Sequence, residues 1–252
     1  VLGYCLTAST REQCLFVLHG SGSNGKSTFL DTVRAVLGDY AMHTRAETFI
    51  VKEGSGIPND VAALRGARVV TASEIKQGAK LDESLIKEMT GDAAMTARFM
   101  RGEFFTFEPT FKVLWALNHR PVIRGTDHGI WRRLRLIPFE EKIEDHEKDR
   151  DLGMKLEAER DGILAWMIHG CALWQEQGLA PPERVLLATK EYREDMDILK
   201  DFLDEMCLTG DGYECGNTEL YAAFRRWADD NGEREKSQRW FSQALHDRGF
   251  RQ

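Results

Sequence analysis

Short, wholly apolar runs alternate with helically spaced apolar positions over the first 140 or so residues. From about residue 150 the helical spacing takes over. Residues 14–19 (C-L-F-V-L-H) stop at a glycine loop and predict a buried strand. Phe29, Leu30, Val33 and Leu37 follow at helical spacing, so a helix is expected over 26–38, ended by Gly38. Residues 53–59 read as a loop and 60–64 as a short helix. Arg68 to Ala72 form a second apolar, β-branched strand that ends at Ser73-Glu74, and 83–90 is helical. Aromatic and β-branched residues over 95–108 surround Arg101-Gly102-Glu103, the pattern of a β-hairpin with Gly102 near its tip. Residues 111–117 and 133–139 are the third and fourth strands. Strands alternating with helices imply an α/β fold with a central, mostly parallel sheet and helices on both faces.

The second half predicts long amphipathic helices at 151–177 and 183–208, and two more near 217–231 and 238–248. With an extended piece at Tyr213 to Cys215, the tail resembles a winged-helix or helix-turn-helix unit whose wing would lie past Gln252. The expected division is a core over 1–145, a helical extension over 146–195 and a winged-helix-like domain over 196–252.

Composition narrows the picture. The 252 residues are 42% hydrophobic and 30% charged, suited to one large domain or a medium domain with a small companion. No apolar run approaches the roughly 18 residues of a membrane span, and Val1 to Ala8 are too short and lack the basic start of a signal peptide. A start at Val1 and a stop at Phe250-Arg251-Gln252 suggest a fragment of something longer. The five cysteines (Cys5, Cys14, Cys171, Cys207 and Cys215) have no C-x-x-C spacing, which argues against zinc and suits a reducing cytoplasm. The net charge of −7 opposes nucleic-acid binding until its distribution is considered. Residues 1–138 hold 18 Lys and Arg against 14 Asp and Glu, so the excess of acid lies entirely in the remainder.

The strongest chemical signal is Gly20-Ser21-Gly22-Ser23-Asn24-Gly25-Lys26-Ser27, with Thr28 next. It fits G-x-x-x-x-G-K-[ST] between a strand and a helix. Glycines let backbone N–H groups turn inward around phosphate oxygens, and the helix start adds its positive dipole end. Lys26 is placed to meet the β- and γ-phosphates of ATP, and Ser27 to offer a hydroxyl to Mg²⁺. Glu74, at the end of its strand, is expected to order Mg²⁺ and polarise the attacking water, with Ser73 standing where the common motif has Asp. Asn118 ends the next apolar strand and could read the γ-phosphate or hold the water. Arg132 and Arg133 follow the glycine-bounded stretch Gly125 to Gly129 and could stabilise transition-state charge from a neighbouring subunit.

These stations, in this order, resemble the superfamily 3 helicase domain of phage, plasmid and satellite primase-helicases, related to the poxvirus replication ATPase. The resemblance rests on residues 20–28, 59–74, 85–92 with Thr96-Ala97-Arg98, 107–121 and 125–139. It implies an AAA+-like P-loop NTPase with a β-hairpin insertion, assembled as a ring, usually hexameric, that moves 3′→5′ on single-stranded DNA. It also implies a primase domain or primase partner and residence in the host cytoplasm. Carried over by motif, Lys26, Ser27 and Glu74 serve ATP and Mg²⁺, Asn118 is the sensor, and Arg133 is the first choice for the finger with Arg132 the alternate. Lys87 and Arg98 fall in an extra motif that touches DNA or a neighbour's phosphates. Arg101, flanked by Phe99, Phe104 and Phe105, matches the channel loop, with at least two of the three rings expected to be hairpin packing. The family's helical region before the phosphate loop is nearly absent. Two other readings stay open: a P-loop remodelling ATPase acting on proteins, and an origin-binding module over 198–252.

Overall fold

The computed structural model describes residues 1–52, 59–91, 94–123, 128–210, 212–233, 236–246 and 248–250. Most of the loop expected at 53–59, Asp92, and the Gly125 to Asp127 part of the stretch before the arginines lie outside the described residues. In chain order the first elements are helix α1 (Leu2–Cys5), strand β1 (Leu15–His19), helix α2 (Lys26–Leu37), strand β2 (Ala41–His43), helix α3 (Asn59–Ala62), strand β3 (Val69–Ser73) and helix α4 (Glu83–Thr90). Strands β4 (Met95–Ala97), β5 (Phe105–Phe107) and β6 (Lys112–Leu117), helix α5 (His128–Trp131) and strand β7 (Leu134–Pro138) follow. Six helices complete the chain: α6 (Leu152–Ala158), α7 (Arg160–Gln177), α8 (Glu183–Asp195), α9 (Ile198–Met206), α10 (Asn217–Asp230) and α11 (Gln238–His246).

Five strands form one sheet in the order β2-β3-β6-β1-β7, and every pairing is parallel. Parallel neighbours cannot be joined by a hairpin, so each crossover must pass over a face and cover it. Hence β1 and β6 are buried almost from end to end. Phe16 and Leu18 point to the side where Leu30, Val33 and Leu37 of α2 lie. Trp115 points to the other side and meets Phe49 edge-on, ring centroids 5.1 Å apart. The pair β4–β5 is a separate antiparallel hairpin, as its sequence predicts.

The segment before β1 is bound to the body of the fold. Tyr4 and Trp174 lie with ring centroids 4.8 Å apart, the Trp174 indole donates to Glu12 Oε1 at 2.7 Å, and the Arg11 guanidinium sits 4.0 Å over the same indole. Beneath the sheet, Lys112 is buried with its ammonium donating to the backbone carbonyls of Thr7, Ser9 and Thr110. Burial pushes the Lys112 ammonium down to about 8, with Arg68 adding repulsion and the neighbouring thiols acting the other way. A Lys with a folded pKa below its unfolded value binds fewer protons when folded, so its contribution to stability rises with pH between the two values. Wild type should therefore gain about 2 kcal/mol relative to Lys112→Met between pH 7.5 and 9.5 in paired denaturant melts. A constant difference across that window would refute the assignment.

The sequence reading and the structure differ in four places. Strand β2 escapes prediction because its three residues carry no period; pairing with β3 and the bonds Arg68 N to Tyr40 O (2.7 Å) and Thr44 N to Thr71 O (2.9 Å) make it a strand. The helix expected at 151–177 breaks at Glu159, whose ψ of 8° ends one helix and begins the next. The helix expected at 183–208 breaks at Asp197, whose side chain accepts from Lys200 N at 3.2 Å and caps α9. Tyr213 to Cys215 pairs with nothing as a strand among the described residues.

Contacts divide the chain into two compact units, Val1–Lys190 and Glu191–Gln252. Within the second, α9, α10 and α11 close around Phe202, Phe224 and Phe241, with ring centroids 4.8–6.1 Å apart, and the Trp227 indole donates to Glu205 at 2.7 Å. Its described residues are helical with no strand, so the winged-helix resemblance reduces there to a three-helix cluster. All five cysteines are free thiols. No helix among the described residues is long and apolar enough to cross a membrane.

Candidate functional site

At the carboxyl edge of the sheet, β1 runs into the glycine loop and the loop into α2. Ligands of open parallel sheets bind at this edge, where neighbouring strands lead their connections apart. The loop curls because Gly22, Ser23 and Gly25 all take positive φ, at 104°, 51° and 81°. Ser23 carries that conformation without being glycine, and its carbonyl is held by Ile143 N at 2.7 Å. Gly20 has a different reason: a Cβ there would lie 2.1 Å from the Phe139 carbonyl oxygen.

Lys26, the first residue of α2, is buried, and its ammonium donates to Gly20 O and to Asn24 Oδ1, both at 2.8 Å. The Asn24 amide in turn donates to Phe139 O at 2.9 Å, tying the loop to the end of β7. Asn24 thus orients the lysine as well as fastening the glycine loop. Burial pulls the Lys26 ammonium below the usual lysine range, opposed by the carboxylate of Glu74. Ser21, Ser23 and Ser27 are exposed, while Gly22, Gly25 and Thr28 are partly covered.

Glu74 directly follows β3 with a φ of 63°, an uncommon conformation for a side-chain-bearing residue. Its N–H donates to Ala116 O at 2.9 Å, so the turn is anchored on the neighbouring strand β6. Asn118, just past β6, donates from Nδ2 to Glu74 Oε1 at 3.3 Å. Because β6 lies between β1 and β3, the ends of three adjacent strands bring Lys26, Glu74 and Asn118 to one edge. His19, at the end of β1, is half-buried. Burial lowers its imidazole, as do the neighbouring Arg120, Lys26 and His119, while a hydrogen bond to the Asn118 backbone acts the other way. The edge therefore concentrates positive charge that periodicity alone did not reveal, and it suits a polyphosphate.

The oxygen donors expected to serve a metal are the Ser27 hydroxyl, in the first turn of α2, and the Glu74 carboxylate, just past β3. Such hard donors fit Mg²⁺, which keeps waters and takes phosphate oxygens to complete its shell. Among the described residues no group of three or more His, Cys, Asp or Glu side chains could hold a metal ion.

The two arginines part company. Leu134 pairs with Leu15 at the start of β1, so Arg132 and Arg133 lie at the opposite end of the strands from the glycine loop. Five residues of strand separate the two levels by roughly 15 Å. Arg133 is buried; its Nε donates to Thr90 Oγ1 at 3.0 Å and its Nη1 to Gly129 O at 2.6 Å. Arg132 is exposed, and its Nη2 donates to Gln13 Oε1 at 2.7 Å.

The hairpin is a two-stranded sheet of its own. Arg98 lies 4.9 Å over the Phe104 ring, and Arg101 takes a φ of 60° at the tip. Phe99 stacks on Phe105 at 5.6 Å. Packing was expected for at least two of the three rings, yet Phe99 and Phe104 are both exposed and only Phe105 is partly covered. Lys87 lies in the last turn of α4 and is half-buried.

Comparison with known proteins places this geometry. The pattern of a family of unknown function, DUF5906, matches residues 18–133, from the end of β1 to Arg133. The chain is 29% identical over 92% of its length to "Putative helicase L207/L206" of Acanthamoeba polyphaga mimivirus, covering 26% of that protein. It is 27% identical over 84% of its length to "Putative helicase 022R" of Frog virus 3, covering 24% of it. It is 25% identical over 92% of its length to "Putative primase C962R" of African swine fever virus, covering 27% of it. The chain thus spans about a quarter of the length of these relatives. Among solved structures, the C-terminal region of NrS-1 shares the fold at a TM-score of 0.53, with 11% identity, over 66% of this chain and 39% of that one.

Proposed function

We propose that this chain is the ATP-driven motor of a superfamily 3 DNA helicase acting in replication, an AAA+-like P-loop ATPase working as a ring, usually hexameric. The observation that carries the reading is the convergence of a pre-held Lys26 with the Glu74–Asn118 pair at the ends of three neighbouring strands. The backbone of Gly20 to Thr28 cradles the phosphates. Lys26 supplies a point charge to them, and Ser27 and Glu74 hold Mg²⁺, whose chemistry is to neutralise charge on the transferring phosphate. Asn118 restrains the Glu74 carboxylate and so orients the attacking water.

Arg132 is the finger. Its distance from its own loop requires that it act on the ATP of an adjacent subunit, and its exposure leaves it able to do so. Arg133, the first choice by motif, instead braces α4 against α5 inside its own subunit. The hairpin carrying Arg98 and Arg101, with Lys87 nearby in sequence, contacts single-stranded DNA along which the ring moves 3′→5′. A primase domain or primase partner, which the printed name of the African swine fever virus relative supports, and the host-cell cytoplasm complete the reading.

Particle mass and ATP turnover of the full-length protein, measured with and without ATP and a single-stranded oligonucleotide, test it. Ligands should raise the mass to that of a closed ring, the oligonucleotide should stimulate turnover, and forked DNA should be unwound. A strict monomer that hydrolyses ATP at full rate, indifferent to DNA, would end the proposal. Stimulation without unwinding would favour the remodelling ATPase instead.

A further inference from the structure

The hairpin tip exposes more apolar surface than a soluble loop ordinarily leaves open. Phe99 and Phe104 are 51% and 53% exposed, and Met100 is 78% exposed. Contiguous apolar exposure of this kind marks a surface that something else covers.

The tip is built to hold its shape while exposed. Met100 N donates to Asn59 Oδ1 at 2.9 Å, which ties the tip to α3. Gly102 N donates to Phe99 O at 2.9 Å and closes the turn through Arg101. The Phe99 ring is also backed from within. Phe99 stacks on Phe105 with centroids 5.6 Å apart and planes 26° from parallel, and Phe105 continues to Phe107 at 5.9 Å. Guanidinium groups flank the rings, Arg98 at 4.9 Å over Phe104 and Arg65 at 5.4 Å over Phe105. Rings held in this way lose little freedom when a flat partner settles on them.

The occupant follows from the mixture of groups. A second copy of the chain would need apolar surface but not a border of cations. Cations beside rigid, half-open rings suit a polyanion that also carries flat, unpaired π-systems. We propose that Phe99 and Phe104 stack on unpaired bases of a single nucleic-acid strand, so that the hairpin grips bases as well as phosphates, with Arg65 and Arg98 bracing the rings. This rests on the reading of the hairpin as the DNA contact and adds what it contacts. Because every base has a π-face, the grip is indifferent to sequence.

The test compares the full-length protein binding a mixed-sequence oligonucleotide and an abasic strand of equal length at one fixed salt concentration, by fluorescence anisotropy. Wild type should prefer the strand with bases by at least about tenfold. Phe99→Ala and Phe104→Ala should shrink that preference while leaving abasic affinity unchanged. Phe104→Leu should behave like the alanine variant because it keeps apolar bulk without the ring, and Phe99→Tyr should restore wild-type preference. Arg101→Ala should weaken both strands alike. Equal binding of both strands by wild type would overturn base stacking and leave the hairpin as a phosphate contact, with the motor reading intact. Binding of neither strand would remove the hairpin from DNA altogether. Loss of assembly in the phenylalanine variants with DNA preference kept would assign the tip to a subunit interface and also overturn the proposal.

Discussion

Replacing Lys26 by Ala is expected to lower ATP turnover by at least a hundred- to thousandfold, the cost of removing one preorganised electrostatic group from a transition state. The expectation comes from how the ammonium is held. It is buried and pinned between Gly20 O and Asn24 Oδ1, so the protein has already met the cost of placing a charge where the proposed triphosphate would sit. Burial also lowers its pKa, and an arriving triphosphate would reverse that penalty by supplying negative charge. Removing the side chain deprives two loop acceptors of their donor, so nucleotide affinity should fall along with turnover. Lys26→Arg should not rescue activity, because a planar fork cannot replace a compact ammonium in a cage of this size. Glu74→Gln makes the opposite separation. It leaves the loop intact and should retain a nucleotide-induced rise in Tm while turnover disappears. Steady-state hydrolysis and thermal shift together check both, and full turnover by Lys26→Ala would remove the glycine loop from the chemistry.

The neighbouring arginines should fail in different ways. Arg132→Ala should lower kcat by about 10³–10⁵, the usual contribution of an arginine finger, with little change in Tm. Its bond to Gln13 is on the surface, where such contacts contribute little to stability. Arg133→Ala should instead lower stability by about 2–4 kcal/mol, because the buried Thr90 hydroxyl and Gly129 carbonyl lose their donor. Mixing tests whether the finger works across subunits. Lys26→Ala supplies an intact Arg132 and Arg132→Ala an intact Lys26, so inactive proteins should regain turnover when combined. Should mixing restore nothing, or Arg133→Ala abolish turnover without loss of Tm, the two roles must be exchanged.

Much of the site can be read directly from residue order. The glycine loop, Lys26 and Ser27 are contiguous, so backbone geometry links them without help from the rest of the chain. Glu74 and Asn118 are legible because each ends an apolar run, and runs of that kind become buried parallel strands whose ends share an edge. His19 was less visible: a lone histidine after a strand gives no signal until Arg120, His119 and Lys26 are folded beside it. The Asn24 bond to Phe139 spans 115 positions and has no local mark. Arg65 and Asn59 of the hairpin's surroundings were passed over for the same reason.

By itself the sequence determined the alternation of strands and helices, the glycine loop between β1 and α2 and the order of the segments after it, since these depend on neighbours a few residues apart. The tertiary structure alone decided that β6 stands between β1 and β3, that Arg133 faces inward while Arg132 faces out, and that Phe99 and Phe104 remain open at the hairpin tip. Those outcomes depend on which distant segments come to share space, and burial is a property of that arrangement rather than of residue type.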